Sequence, residues 1–485
     1  MKKQIFNPYL PSYEYIPDGE PRVFNNRLYV FGSHDKFGST FFCDNDYVLW
    51  SAPLNDLSDW KCHGVIYRKN QDPLNKDGKY PLFAPDVIEG KDQRYYLYYG
   101  PSGTRSIGVA VSDSPYGQYE FINHIKDKEG NIIGTKDNDP YPFDPAIFID
   151  DDNQIYLYLG FSPDKSWTFL KETFGKTDLI SGPCVMKLED DMYTLKDDIK
   201  KVEIKNIPDS KHNFLEASSL RKINNIYYFI YSSISGHELC YGISDNPEGP
   251  FEYKGVIHDN GDIGINGITE DNRVNYTANN HGSLVKLNDD YYIFGHRHTN
   301  YCVYSRQGIA EKVIINKDGT IDQVELTSYG LNGKPLNNKG KYYAYTACHL
   351  TSDKGALQYD GNCDTEEFKN IRKDHPAFSQ DGPDREDNPN QYIKNMKDGA
   401  TCGFKYFEYC ENINIKVETR GDEGLFEIRT KLNGPILEKI YLDKHEEYME
   451  SKSIDIKIPD KKEFALYFTY RGNGSIDFNS FTLSN

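Results

Sequence analysis

Tyr227-Tyr228-Phe229-Ile230-Tyr231, introduced by the polar pair Asn224-Asn225, is the stretch that decides the fold. Five large apolar or aromatic residues in a row, directly after a turn signal, read as a strand buried on both faces. Four other segments share the pattern: Leu28-Tyr29-Val30-Phe31, Tyr95-Tyr96-Leu97-Tyr98-Tyr99, Ile155-Tyr156-Leu157-Tyr158 and Tyr291-Tyr292-Ile293-Phe294. Polar turns precede three of these, at Asn25-Asn26-Arg27, Asp150-Asp151-Asp152-Asn153 and Asn288-Asp289-Asp290. The recurring unit is therefore a hairpin. A second echo supports the repeat, because Gly108-Val109-Ala110-Val111-Ser112-Asp113-Ser114-Pro115 resembles Tyr241-Gly242-Ile243-Ser244-Asp245-Asn246-Pro247.

Just upstream of each hairpin strand stands one polar residue: Asp18, Asp86, Asp144, Glu216 and His281. Counted to Leu28, Tyr95, Ile155, Ile226 and Tyr291, their offsets are 10, 9, 11, 10 and 10 residues, and the steps between them are 68, 58, 72 and 65. A unit of that length holds four short strands with loops, the size of one propeller blade. Five units fill residues 1–330, so the expected fold is all-β: a five-bladed β-propeller. The first strand of each blade lines the central channel, so residues at one repeat phase form a ring. Any single Asp here reads more simply as a turn cap. Four carboxylates and a histidine at one phase read better as a shared site.

Beyond the repeat, Ser328-Tyr329-Gly330-Leu331-Asn332-Gly333-Lys334-Pro335 reads as a boundary. Residues 336–485 carry short alternating strands such as Ile413-Asn414-Ile415-Lys416-Val417 and Leu425-Phe426-Glu427-Ile428-Arg429, which argue a β-sandwich. The net charge is −18, and so acidic a surface repels phosphate backbones and anionic lipid. Nucleic acid and membranes are thus not expected partners, and no run approaches the roughly 20 apolar residues that span a bilayer. The nine cysteines are scattered, with no Cys-x-x-Cys pair, and read as reduced buried residues. The start Met1-Lys2-Lys3-Gln4-Ile5-Phe6 has no apolar run behind its lysines. Together these predict a cytoplasmic protein.

Five fragments, in order, resemble glycoside hydrolase family 43. They are Ile16-Pro17-Asp18, Phe83-Ala84-Pro85-Asp86, Phe143-Asp144-Pro145-Ala146, Leu215-Glu216-Ala217-Ser218 and His281-Gly282-Ser283. The resemblance implies an inverting glycosidase of the β-xylosidase or α-L-arabinofuranosidase type, acting on plant-type oligosaccharides. Asp18 would be the general base, Glu216 the general acid and Asp144 the tuner of the acid's pKa. Such chemistry needs one ionised and one protonated carboxyl with room for water between them. No cofactor is implied for the chemistry itself. Glu20, in Asp18-Gly19-Glu20-Pro21, is a rival base. Phe83 stands where the family often has Trp and would offer an aromatic wall, with Asp86 beside it. His281 resembles a residue that lies near a calcium ion in the channel, where it would hold a coordinated water; a buried hydrogen-bonded histidine is the alternative. Arg306 resembles a substrate-contacting arginine, with a surface loop arginine as alternative, and His34-Asp35 is a weaker substrate contact. Gly472-Asn473-Gly474-Ser475-Ile476-Asp477-Phe478 and Tyr406-Phe407-Glu408-Tyr409 resemble family 6-like carbohydrate-binding modules. Such a module binds sugar or buttresses the propeller, and small substrates favour buttressing. A non-catalytic sugar-binding propeller and a fructosidase-type enzyme are the other readings. The second is weakened by Glu216-Ala217, where that group carries Glu-Cys.

Overall fold

The computed structural model describes residues 3–164, 178–358, 366–384, 390–459 and 461–484. Blade one is β1 (Glu20–Phe24), β2 (Arg27–Phe31), β3 (Tyr47–Pro53) and β4 (Lys61–Tyr67). Blade two is β5 (Leu82–Glu89), β6 (Tyr95–Pro101), β7 (Gly108–Ser112) and β8 (Glu120–His124). Blade three is β9 (Ala146–Ile149), β10 (Ile155–Phe161), β11 (Gly182–Leu188) and β12 (Lys200–Lys201). Blade four joins β13 (Ile204–Lys205), paired in parallel, to the outer edge of β14 (Phe214–Ile223), β15 (Ile226–Ser233), β16 (Glu238–Ser244) and β17 (Phe251–Asp259). Blade five has three strands: β18 (Leu284–Leu287), β19 (Asp290–His298) and β20 (Arg306–Val313).

The aromatic strands are buried on both faces because each is sandwiched between neighbouring blades. Leu28 and Val30 pack against Leu287, Tyr292 and Phe294 of blade five, while Tyr29 and Phe31 pack against Val87, Leu97 and Tyr99 of blade two. The period-two alternation of a strand sends successive side chains to opposite partners. Tyr227, Phe229 and Tyr231 likewise meet blade three, and Tyr228 and Ile230 meet blade five. With the core between blades two and three, five interblade cores close the ring. The turns obey the same local logic. Asn25-Asn26 and Asn224-Asn225 are two-residue hairpin turns with both φ positive, at 50°, 60°, 50° and 65°, which asparagine tolerates.

Blade five departs from the expected four strands. The N-terminal segment covers the open edge of β20 in place of a fourth strand. Asn7 accepts from the Ala310 amide (3.0 Å) and donates to its carbonyl (3.1 Å) and to the Thr327 carbonyl (3.0 Å). One side chain thus satisfies backbone groups that a strand would have paired.

After a short turn at Gly330–Asn332 the chain enters a sandwich. One sheet orders Ala377–Gln380, Gln391–Met396, Ile476–Ser484, Asn412–Gly421 and His445–Glu450; the other orders His349–Thr351, Thr401–Phe407, Phe464–Arg471, Gly424–Arg429 and Glu438–Leu442. Their inner faces share one core that includes Phe404, Phe426, Phe468, Phe478 and Phe481. Within the Tyr406–Tyr409 segment, Phe407 is part of that core and the Tyr406 hydroxyl donates to Glu325 of the propeller at 2.9 Å. No helix among the described residues is long and apolar enough to cross a membrane.

Candidate active site

Asp18 and Asp144 sit immediately before the inner strands of blades one and three, and Glu216 lies in the inner strand of blade four. Each is placed by an unusual backbone. Asp18 has φ 56°, Asp144 has φ 47°, and Ala217, next to Glu216, has φ 64°. Non-glycine residues in the left-handed region are strained, and such strain gathers where function over-determines the geometry. The β14 ladder breaks register at Glu216, so the strand bulges there. The bulge turns the Ala217 amide onto Asp144 Oδ2, at 3.0 Å. A carboxylate from blade three is thereby tied to the residue beside the blade-four acid.

Asp18 and Asp144 are buried, Glu216 is half-buried, and the three carboxyls feel one another. Burial, first, and then the charges of Glu216 and Asp18 push Asp144 well above the usual carboxylate range, against the Ala217 amide and Arg306. Burial and then the Asp18 charge push Glu216 up to about 7, with Arg306 opposing. Neighbouring carboxyls of this kind titrate as a pair and keep a proton near neutral pH.

Arg306 is almost fully buried, which removes the surface alternative. It holds Asp35 bidentately, Nε to Oδ2 at 2.9 Å and Nη2 to Oδ1 at 3.0 Å, and its own amide donates to Oδ2 at 2.9 Å. The remaining nitrogen, Nη1, donates to Asp18 Oδ1 at 2.8 Å. Phe42 lies under the guanidinium, 5.0 Å from ring centre to charge. His296 completes this corner. Its Nδ1 accepts from the Asp18 amide at 3.4 Å, which leaves Nε2 to donate to the Asn279 carbonyl at 2.8 Å. Burial and then Arg306 push it well below the histidine range, so it stays neutral.

The other expected residues fall in different places. His281 stands between the trio and the channel, with Nδ1 3.6 Å from Asp144 Oδ2 and Nε2 3.9 Å from Glu20 Oε1. Phe83 is half-buried and meets Phe143 edge-on at 5.8 Å, and Phe143 stacks on Phe161 at 4.7 Å, forming an aromatic wall. Asp86 does not join the trio. Lying inside β5 past a bulge, it binds Arg22 through both oxygens (2.9 and 2.5 Å) and accepts from the Ile147 amide at 2.9 Å. His34 is also turned away, with Nδ1 2.7 Å from the Asp46 carbonyl and Nε2 3.2 Å from Glu14. Glu20 accepts from Arg221 at 2.5 Å in the channel, and it is not among the groups that shift Glu216.

The channel chemistry also tests the calcium expectation. Calcium takes six to eight oxygen ligands. Here the Asp86 oxygens are occupied by Arg22, Glu20 Oε2 is occupied by Arg221, and only Glu20 Oε1 lacks a partner. Two guanidinium groups already supply the positive charge. These residues do not fit a calcium ion held directly by protein oxygens, a limit that does not bear on an ion held through water beside His281. A second set of potential ligands on blade four, His212, Glu238 and Cys240, is explained by hydrogen bonding, because Glu238 Oε2 already accepts from Ser233 and Ser235 at 2.8 Å each.

Sequence reading missed His296 and the Arg22 and Arg221 pairs. Only His296 had a usable signal: His296-x-His298 continues the Tyr291–Phe294 strand at period two.

An acid pair that retains a proton, beside an arginine-held aspartate on the inner strands of a five-bladed ring, defines the class: a β-propeller glycoside hydrolase. The chain belongs to glycosyl hydrolases family 43, whose profile matches residues 21–321. Asp144 and Glu216 fall inside that match and Asp18 just before it. The chain is 45% identical over 494 residues to a xylosidase/arabinosidase of Thermoclostridium stercorarium, covering 100% of this chain and 99% of the relative. It is 32% identical over 283 residues to xylosidase/arabinosidase 43A of Humicola insolens, covering 50% of this chain and 80% of that one. A solved family 43 β-xylosidase/α-arabinofuranosidase from a compost microbial metagenome, in complex with xylotriose in calcium-free form, superposes with a TM-score of 0.51 at 26% identity. It covers 67% of this chain and 98% of that one.

Proposed function

We propose that this protein releases xylose or arabinofuranose from plant-type oligosaccharides with inversion at the anomeric carbon. Asp18 takes a proton from water as its oxygen bonds the anomeric carbon. Glu216 gives a proton to the glycosidic oxygen as that bond breaks. Asp144 keeps the proton within the acid pair and orients it through the Ala217 amide. The observation that supports this reading is the contrast between two carboxyls close enough to act on each other: the Asp18 charge helps push Glu216 up to about 7, while Asp18 itself rests on the Arg306 guanidinium. The names of the relatives support the choice of sugars, above all the one aligned along the whole chain.

Incubation with an aryl β-xyloside and an aryl α-L-arabinofuranoside tests the substrates. Proton NMR of the first product tests the stereochemistry, since inversion of a β-xyloside yields α-xylose before mutarotation. Silence on both substrates and on arabinoxylan fragments would sink the proposal. Tight sugar binding by calorimetry without turnover would instead favour a binding-only propeller.

A further inference from the structure

The loop between β2 and β3, residues 32–46, supplies Asp35 and Phe42 to the site, yet its own support comes from the sandwich. Asp384 reaches across and takes both legs of the loop with one carboxylate: Oδ1 accepts from the Phe37 amide at 2.6 Å and Oδ2 from Asn45 Nδ2 at 3.0 Å. Asn45 Nδ2 also donates to the Asp35 carbonyl at 3.0 Å, and the Cys43 amide donates to Asp35 Oδ1 at 3.0 Å. From Asp35 the contacts run on to Arg306 and then to Asp18. Beneath the loop, Tyr15 packs against Phe37 with the rings tilted by 33° and 5.5 Å apart, donates to Gln380 Oε1 at 2.5 Å and accepts from Gln391 Nε2 at 2.6 Å. Both glutamines belong to sandwich strands.

We propose that Asp384 is a positioning residue: through the loop, Asp35 and Arg306, the C-terminal sandwich sets the placement of Asp18, so the propeller alone does not hold the site. The proposal rests on the reading of Asp18 as a reacting carboxylate. Each link is a hydrogen bond of about 3 Å or less, and a bidentate Arg–carboxylate joint passes on orientation as well as distance. Misplacing a reacting group by a fraction of an ångström costs rate without abolishing the fold.

The test uses the full-length chain with Asp384→Ala and, as a gentler change, Asp384→Asn, which presents an amide N–H₂ to one of the two donors. Hydrogen exchange of residues 35–46 reads the clamp without turnover. It should rise in both variants while exchange in blades two to four is unchanged. On a good-leaving-group aryl substrate and on an oligosaccharide alike, kcat should fall about ten-fold in the alanine variant, because water activation is needed for both. In an Asp35→Ala background, Asp384→Ala should cost little more, because the effect travels through Asp35. A kcat within two-fold of wild type, or losses that multiply in the double variant, would overturn the proposal and leave Asp384 a docking contact. An inactive wild type with the expected exchange pattern would sink the catalytic reading and leave the clamp standing.

Discussion

At the scale of single residues, the proposed mechanism needs one proton kept where bulk water would remove it. Glu216→Gln keeps the shape of the acid and loses its proton. The expected result is a drop in kcat of at least about 10³-fold on an oligosaccharide, with a smaller loss on an aryl glycoside whose leaving group needs little protonation. The pH profile follows from the same group. The acid works in its protonated form, so kcat should hold below the raised pKa of about 7 and fall as pH rises through it. A basic limb that stays flat to pH 9 would remove Glu216 from that role. Much of this corner was legible as residue types at one repeat phase: Asp18, Asp144 and Glu216. Asp86 was not separable from them in the sequence. Its fate depends on a bulge after Phe83 that carries it past the mouth to Arg22, and no composition rule encodes that.

At the scale of elements, the bulge in β14 is the part most exposed to test. Ala217 occupies φ 64°, where a Cβ is costly and a β-branched side chain more so. Ala217→Gly should be neutral or stabilising by up to about 1 kcal/mol and should retain activity. Ala217→Val should lose about 2 kcal/mol or more in denaturant melts and should lose activity with it, because the amide no longer meets Asp144. Equal stability of both variants would show that the backbone there is unstrained. The hairpins were readable because alternate residues of one strand serve two neighbouring blades, which forces long aromatic runs such as Tyr227–Tyr231. The three-stranded fifth blade was not readable, since its edge is closed by Asn7, some 300 positions away in the chain.

At the scale of the whole molecule, propeller and sandwich are joined by buried charge. Asp262 accepts from Lys405 Nζ at 3.1 Å and lies 2.9 Å from His349 Nε2. Burial would raise its pKa, but Lys405 and His349 outweigh that and bring it down to about 2. A depressed carboxylate contributes stability above its unfolded value near 4 and loses it as pH falls through the folded value. The joint should therefore weaken between about pH 4 and pH 2, by about 2 kcal/mol. Asp262→Asn should flatten that part of the stability curve, and an unchanged acid slope would assign the effect elsewhere. The order in which the ring is made carries a further consequence. Leu28 and Val30 of blade one have their partners in blade five, so on a ribosome the first blade emerges long before the surface that covers it. The nascent chain must carry a bare aliphatic face for most of its synthesis. Stalled chains ending before residue 284 should accordingly be captured by chaperones and cut readily by protease, whereas chains released after residue 330 should resist.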